Sequence, residues 1–166
     1  LEAGAAKVAL NSAIVRRPAL LDALVARVGG ARVVASIDAR RVGGAGDALA
    51  FEVFTAGGQV PSGLDAVAWA VECERRGAGE ILLTSIDRDG RRDGCDVELT
   101  RQVADAVGIP VVASGGAGAA EHFRALFETT RAAAGLAAGI FHDGTTPPAA
   151  VKRLLATAAR SGSEAA

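Results

Sequence analysis

Two stretches of the sequence end an apolar run in the same Ser-Ile-Asp triplet. One reads VVASID over residues 33–38, and the other reads LLTSID over residues 82–87. A carboxylate that directly follows an apolar run is placed where burial raises its pKa toward the range useful for general acid or base catalysis. This makes Asp38 a candidate catalytic residue. The pattern is equally compatible with an ion pair from Asp38 to Arg40 or Arg41, or with a carboxylate that caps a turn.

A glycine-rich stretch, SGGAGAAEHF over residues 114–123, is a candidate phosphate site. Ser114, Gly115 and Gly116 follow an apolar run and precede a helical pattern, so bare backbone N–H groups would face outward at the positive end of a helix dipole. The alternative is a tight connection that binds no ligand. Gly139 lies near the end of a later apolar run, and barrels build phosphate sites after consecutive strands, which favours the phosphate interpretation.

The polar stretch SIDRDGRRDGCD, over residues 85–96, is rich in aspartate and arginine. Its acidic residues, which include Asp89 next to Gly90, could reach hydroxyl or amino groups of a ligand while the arginines meet its charge. A solvated surface loop is the alternative. We expect a substrate-binding loop.

The composition narrows the class of protein. The chain has 166 residues, 50% of them apolar, and a formal net charge of −1. These values predict one domain with a sizeable core and no broad basic surface for nucleic acid or an anionic membrane. Cys73 and Cys95 are far apart and no histidine cluster accompanies them, so neither a metal site nor a disulfide is indicated. No apolar run is long enough to span a membrane and no leader precedes the first strand, which predicts a cytoplasmic protein.

Short apolar runs alternate with segments of helical periodicity along the chain. The runs predict five buried strands, at residues 7–10, 32–37, 80–86, 110–114 and 132–140. The periodic segments predict five helices, at residues 18–29, 64–77, 96–108, 120–132 and 148–162. A further alternating segment, residues 46–60, ends in a Gly-Gly turn and predicts a β-hairpin inserted after the second strand.

Residues that favour helix ends support these boundaries. Asp65 and Asp96 suit helix starts, and Gly29, Gly77 and Gly108 lie where a helix would end in a left-handed residue. Alternation of buried strands with helices predicts an α/β protein with a parallel sheet, either an open doubly wound sheet or a (β/α)₈ barrel.

The first ten residues, LEAGAAKVAL, parallel ERRGAGEILL at residues 74–83. In the later copy a helix end, a Gly-Ala turn and a charged residue precede a strand. No helix precedes the first copy, so we expect the fold to begin upstream of Leu1. The alternative is a frayed N terminus of a complete small domain.

In a parallel βα protein the ligand site lies at the carboxyl ends of the strands. The residues at these positions are Asn11, Ser12, Asp38, Thr84, Asp87, Asp89, Ser114, Gly115, Gly116 and Gly139. This set is polar, acidic and glycine-rich, so we expect a site for an anionic, hydroxylated ligand.

Five motifs occur in the order found in one enzyme family. They are KVALNSA, VVASIDARR, RGAGEILLTSIDRDG, PVVASGGAG and AAGIFH. Through them almost the whole chain resembles the cyclase subunit of imidazole glycerol phosphate synthase, a (β/α)₈ TIM barrel of histidine biosynthesis. The resemblance implies a partial barrel over residues 1–166, a single incomplete domain that holds the family's strands four to eight and lacks the first three βα units.

The resemblance also implies an ammonia-dependent cyclisation of a substrate that carries a phosphate at each end, with no cofactor and no metal. Asp38 would be one of two catalytic aspartates, and its partner lies on a strand outside this sequence. By similarity, one phosphate would be held by Ser114, Gly115, Gly116 and Gly139, and the other by Asn11, Asp89 and Gly90, with Thr84 lining the space between. Gly139 stands where the family commonly has a serine.

The implied partners follow from the same family. A glutaminase subunit would supply ammonia at the opposite end of the barrel, where Lys7 and Glu80 match members of a charged ring at the ammonia entrance. The missing amino-terminal half, or another half-barrel copy, would complete the fold. The sister isomerase of the same pathway and a non-catalytic half-barrel that binds phosphate are the alternative functions. Neither nucleic acid nor a membrane is an expected partner.

Overall fold

The computed structural model describes residues 1–43 and 50–163, and its centre is a seven-stranded sheet. The strands are β1 (Val8–Leu10), β2 (Val33–Arg41), β3 (Phe51–Thr55), β4 (Val60–Asp65), β5 (Glu80–Ser85), β6 (Val111–Ser114) and β7 (Ala134–Leu136). Strands β1, β2, β5, β6 and β7 are parallel and adjacent in that order, whereas β3 and β4 are antiparallel. The α/β class with a parallel-rich sheet is confirmed.

Helices connect the parallel strands. They are α1 (Ser12–Arg16), α2 (Ala19–Val28), α3 (Ala66–Arg75), α4 (Val97–Ala106), α5 (Ala120–Thr129), α6 (Gly139–His142) and α7 (Pro148–Ser163). The five helices predicted from periodicity are confirmed, with ends that differ by a few residues. The short helices α1 and α6 were not predicted, because a helical period cannot be recognised in only four or five residues.

Two aspartates cap helices as predicted. The Asp65 carboxylate accepts a hydrogen bond from the Ala68 N–H at the start of α3, at 2.8 Å. The Asp96 carboxylate accepts one from the Leu99 N–H at the start of α4, at 3.1 Å. Each carboxylate satisfies a backbone donor that has no partner within its own helix.

The two faces of the sheet are covered unequally. Along β2 and β5 the alternate residues Ala35, Ile37, Ile81 and Leu83 are buried, and they pack in one core with side chains of α2, α3 and α4 such as Trp69. Since side chains alternate between the two faces of a strand, the residues between these belong to the other face. Trp69 is part of the core, as its helical position predicts.

We call that other face the open face. Its members, matched by strand register, are Ala9, Val34, Ser36, Asp38, Glu80, Leu82, Thr84, Val112, Ser114, Ala134 and Leu136. Apart from Val34 they are half-buried or exposed, and they include apolar side chains such as Leu82 and Val112. The helices therefore cover one side of the sheet much more fully than the other.

The inserted hairpin lies beside the end of β2. Strands β3 and β4 are joined by a turn at residues 56–59, in which Gly57 and Gly58 take positive φ angles of 68° and 80°. β3 pairs with Asp38–Arg41, while β1 pairs with residues 33–35 on the same edge of β2. The hairpin is confirmed, and its second arm continues to Asp65. Residues 46–49 of the predicted segment lie outside the described residues.

Two details of the prediction are wrong. Gly108 is not left-handed: α4 ends at an extended Val107, and the Gly108 N–H donates to the Glu74 carboxylate at 2.8 Å. The strand predicted over residues 132–140 contains only Ala134–Leu136, because the chain turns into α6 at Gly139. The last residue of that helix is His142.

No helix in the described part of the chain is both long and apolar enough to cross a membrane.

Candidate functional site

Three candidate site residues form one row across the sheet. Asp38 on β2 is the register partner of Thr84 on β5, and Thr84 is the partner of Ser114 on β6. Neighbouring strands lie about 4.8 Å apart, so the row brings three polar side chains to one edge of the open face. We call these residues the polar row. They lie near the carboxyl ends of their strands, where parallel βα proteins bind ligands.

Asp38 lies within β2 rather than after it. The strand continues to Arg41 because the hairpin supplies a second partner, with Asp38 opposite Phe54. Burial raises the pKa of the Asp38 carboxyl, and the negative charge of Asp89 raises it further. A carboxyl group with a raised pKa is the kind of group that can exchange a proton with a ligand near neutral pH.

The neighbouring arginines have other partners. The Arg40 guanidinium lies over the Phe54 ring, 4.6 Å from its centre, and that of Arg41 lies 4.3 Å from the centre of the Phe51 ring. Arg41 also forms an ion pair with Glu98 at 2.5 Å. Of the three explanations for Asp38 offered by its sequence context, a half-buried carboxyl with a raised pKa agrees best with this environment.

Asn11 lies at the junction of β1 with the hairpin. Its side-chain amide donates to the Phe54 carbonyl at 3.2 Å, and Phe54 is the register partner of Asp38. Ser12, the next residue, accepts a hydrogen bond from the Ala56 N–H at 2.9 Å. The hairpin thus fixes the end of β1 beside Asp38.

Next to the polar row lies a cavity of about 200 Å³. Six of the predicted ligand-binding residues line it: Asp89, Gly90, Ser114, Gly115, Gly116 and Gly139. The lining therefore unites residues from the loops that follow β5, β6 and β7. The similarity-based grouping put Asp89 and Gly90 with Asn11 at a second phosphate, but the structure puts them in the same cavity as Ser114, because the β5 and β6 loops pack directly against each other.

Glycines permit that close packing. Gly115 and Gly116 have φ angles of 97° and 90°, in the left-handed region that favours glycine. A Cβ on Gly116 would collide with the Gly94 carbonyl oxygen, and the Gly94 N–H donates to the Gly116 carbonyl at 2.9 Å. Farther along the same stretch, the Gly118 N–H donates to His122 Nδ1 at 2.9 Å and is therefore already hydrogen-bonded.

Arg92 also lines the cavity and was not singled out from the sequence. Its guanidinium forms an ion pair with Asp143 at 2.7 Å, just after α6. The loop contains three arginines, and sequence alone does not distinguish the one that turns inward. The residues from Leu136 to Ala138 line the cavity as well. They belong to an alanine-rich segment without polar side chains, so the sequence gives no reason to assign them to a site.

The two candidate gate residues are paired at the opposite end of the sheet. Lys7 Nζ lies 2.6 Å from Glu80 Oε2, spanning β2 between the starts of β1 and β5. Glu80 and Thr84 are four residues apart on one strand, so they share the open face and are separated by about 13 Å. One face of the sheet thus carries an ion pair at one end and the polar row at the other.

The fold and the site define a parallel βα protein whose ligand site lies at the carboxyl ends of its strands. A model of the histidine biosynthesis protein family matches residues 1–147, and the chain belongs to this family. It is 58% identical over 155 residues to the imidazole glycerol phosphate synthase subunit HisF of Myxococcus xanthus (strain DK1622). It is 52% identical, over the same length, to the subunit of that name from Acidobacterium capsulatum.

Both alignments cover 93% of this chain and 59% of the relative. The chain therefore spans about three-fifths of the length of these curated relatives.

Proposed function

We propose that this chain is the carboxyl-terminal part of the cyclase subunit of imidazole glycerol phosphate synthase. The reaction closes the imidazole ring of phosphoribulosyl-formimino-AICAR phosphate with ammonia and releases imidazole glycerol phosphate and AICAR ribonucleotide, which makes the enzyme a lyase. The names of both relatives support the synthase subunit and do not favour the sister isomerase.

The observation that carries the proposal is the polar row beside the glycine-lined cavity. Asp38 has a raised pKa because it is half-buried and lies near the charge of Asp89, so it can hold a proton that a reacting nitrogen or carbon requires. The cavity, lined by Ser114, Gly115 and Gly116, would hold one phosphate of the substrate. Anchoring a substrate by its ends fixes the reacting centre over Asp38, which lowers the entropic cost of cyclisation.

Ammonia would arrive from the other end of the open face. The Lys7–Glu80 ion pair lies at the amino ends of the strands, on the face that carries Thr84 and Asp38. We assign this pair to the ammonia entrance, where a glutaminase subunit would dock. The open face then becomes the inside wall of a barrel along which ammonia travels.

The relatives extend beyond the part that this chain matches, since the alignments cover 59% of each relative. We propose that three further βα units pair with the free edges of β1 and β7 and cover the open face. One of these units would carry the second catalytic aspartate. The chain of 166 residues alone is therefore expected to be inactive.

The test joins the chain to the three amino-terminal βα units of the Myxococcus xanthus relative. With ammonium salt as the nitrogen source, the joined protein is expected to produce imidazole glycerol phosphate from the ribulosyl substrate. Asp38→Asn in this protein is expected to lower kcat by at least about 100-fold, the usual contribution of a general acid or base, while phosphate binding persists.

Asp105→Asn is the matched control. The substitution removes the same charge, but Asp105 is exposed on α4. Its activity should equal that of the unmodified joined protein. Wild-type turnover by Asp38→Asn would remove Asp38 from the mechanism. Turnover by the 166-residue chain alone would show that no further catalytic residue is needed.

A further inference from the structure

The charge of the glycine-lined cavity depends on two residues. Among the described residues that line it, Asp89 is acidic, Arg92 is basic and the others are uncharged. Without Arg92 the lining would carry the negative charge of Asp89 and would repel a phosphate. Backbone N–H groups alone would then have to hold a dianion against that repulsion.

Two contacts fix Arg92 at the cavity wall. Its guanidinium Nη2 lies 2.7 Å from Asp143 Oδ2, and Thr145 donates hydrogen bonds to that aspartate through both its backbone and its hydroxyl. Its backbone packs so closely on Gly118 that a Cβ there would collide with the Arg92 carbonyl. The Arg92 side chain nevertheless stays 50% exposed, so it is held in position yet accessible to a ligand.

The backbone at Arg92 has a conformation that arginine rarely adopts. Its φ angle is +60°, in the left-handed region, which is sterically unfavourable for a residue with a Cβ. Glycine would avoid this cost, as it does at Gly90 and Gly94 in the same loop, both of which have positive φ. An arginine at such a position indicates that its side chain contributes something a glycine could not.

Gly139 leaves space for this side chain. A Cβ on Gly139 would lie 2.8 Å from Arg92 Nη2, closer than real Cβ atoms approach a nitrogen. A larger residue at position 139 would therefore require the guanidinium, which is the end of a flexible side chain, to shift. The two positions are coupled: the arginine occupies the space that a side chain at 139 would take.

We infer that Arg92 is the residue that binds the phosphate in this cavity through its positive charge, and that Gly139 is the residue that keeps the guanidinium in place. This inference rests on the proposed function, because it takes the cavity to be a phosphate site. The guanidinium has five N–H donors, so the ion pair with Asp143 leaves donors for a phosphate oxygen. Arg92 is a specificity-determining residue: it selects a dianionic end group over a neutral one.

The size of the cavity indicates which part of a ligand it takes. Its volume of about 200 Å³ is below the range of roughly 300–1,000 Å³ that is typical of sites for whole drug-sized ligands. It therefore suits a terminal phosphate monoester, with the rest of the molecule extending along the open face.

The experiment measures binding of inorganic phosphate to the full chain by amide chemical shifts. In the wild-type chain, phosphate is expected to shift the amide signals of Gly115 and Gly116. Arg92→Gln should weaken the affinity by about ten-fold or more, as expected for loss of a hydrogen bond to a charged group. Arg91→Gln is the matched control, because Arg91 loses the same charge but pairs with Asp93 and does not line the cavity.

A second pair of variants tests the coupling without removing the arginine. In the chain that keeps Arg92, Gly139→Ser should weaken phosphate binding, because the new side chain shifts the guanidinium. The same substitution in the Arg92→Gln chain should leave binding unchanged or strengthen it, since a hydroxyl donor is added where nothing is displaced. A merely structural role for Arg92 would not produce this dependence of one substitution on the other.

The outcomes separate the inference from the proposed function. If phosphate shifts no signal of Gly115 or Gly116 in the wild-type chain, the cavity is not a phosphate site, and the phosphate assignment and this inference both fail. If phosphate does shift these signals but Arg92→Gln binds as tightly as Arg91→Gln, the site stands and the role of Arg92 is overturned. An equal effect of Gly139→Ser with and without Arg92 overturns the coupling.

Discussion

The folded chain disfavours the ionised form of the Asp38 carboxyl group. Burial and the charge of Asp89 both oppose its ionised form and raise its pKa above the ordinary value of 3.8. The folded chain therefore binds a proton at Asp38 more tightly than the unfolded chain does. As pH rises through the raised pKa of Asp38 in the folded state, the folded chain loses this proton and the stabilisation that comes with binding it. The contribution of Asp38 to stability therefore falls with increasing pH.

The measurable consequence is a pH-dependent gain in stability for Asp38→Asn. Asparagine has nearly the same size but does not ionise, so the variant is expected to be more stable than the wild type at neutral pH. The gain should shrink as pH falls toward 3.8, where the wild-type carboxyl is protonated in the folded state. Urea unfolding of both chains at several pH values between 3.5 and 7 provides the comparison.

Asp105→Asn again serves as the control, because Asp105 is exposed at the end of α4. Its difference from the wild type should vary little over the same pH range. A variant Asp38→Asn that is less stable than wild type at pH 7, or equally stable at every pH, would contradict the raised pKa.

At the scale of elements, Asp96 connects a helix to the strand below it. One carboxylate oxygen caps α4 through the Leu99 N–H, and the other accepts a hydrogen bond from the Ser85 hydroxyl at 2.9 Å. Ser85 is only 2% exposed, so its hydroxyl has been removed from water. The carboxylate thus fixes the start of α4 against the end of β5, directly beneath the loop that carries Arg92.

This double role predicts that Asp96→Ala is more costly than loss of an ordinary cap. Loss of the cap should lower the free energy of unfolding by about 1 kcal/mol, and the unpaired Ser85 hydroxyl should add about 1–3 kcal/mol. The matched control is Asp65→Ala, which removes the cap of α3 and should cost about 1 kcal/mol. Denaturant unfolding gives both values. Equal losses for the two variants would show that the bond to Ser85 contributes nothing.

Local signals account for the elements that the sequence predicts correctly. Periodicity identifies α2 to α5 and α7, and the capping side chains at Asp65 and Asp96 act within one turn of their own helices. Non-local pairing accounts for the errors. Asp38 lies inside β2 because the strand is extended by the hairpin, and Gly108 is held by Glu74 from a different helix.

Some residues of the candidate site could likewise be predicted from local signals, whereas others depend on non-local contacts. The residues at strand ends, such as Thr84 and Ser114, could be predicted because their position follows from the strand alone. Arg92 could not, since its place depends on close packing at Gly118 and on the empty space at Gly139. These contacts join three loops, and no single stretch of sequence contains them.

At the scale of the whole molecule, the open face is the main departure from an ordinary two-layer or three-layer α/β fold. Parallel sheets are normally covered on both faces, because both faces are apolar. Here Leu82 and Val112 are only half-buried, and Leu136 at the edge strand β7 is 41% exposed. The outer edges of β1 and β7 also present backbone groups that a further parallel strand could pair with.

We therefore expect the 166-residue chain to self-associate through the open face when it is purified alone. Burial of Leu82 and its neighbours against a second copy would remove apolar surface from water, which favours association by about 25 cal/mol per Å². Sedimentation velocity should show dimers or larger species whose proportion rises with concentration.

Leu82→Asp should shift the distribution toward monomer, because it places a charge in the middle of the contact. The control is Val71→Asp, since Val71 is 41% exposed on α3 and lies away from the open face; it should leave the distribution unchanged. Joining the chain to three amino-terminal βα units of a relative should give a monomer, because those units would cover the same face. A 166-residue chain that stays monomeric and soluble at every concentration would show that the open face needs no partner and would contradict the proposed barrel.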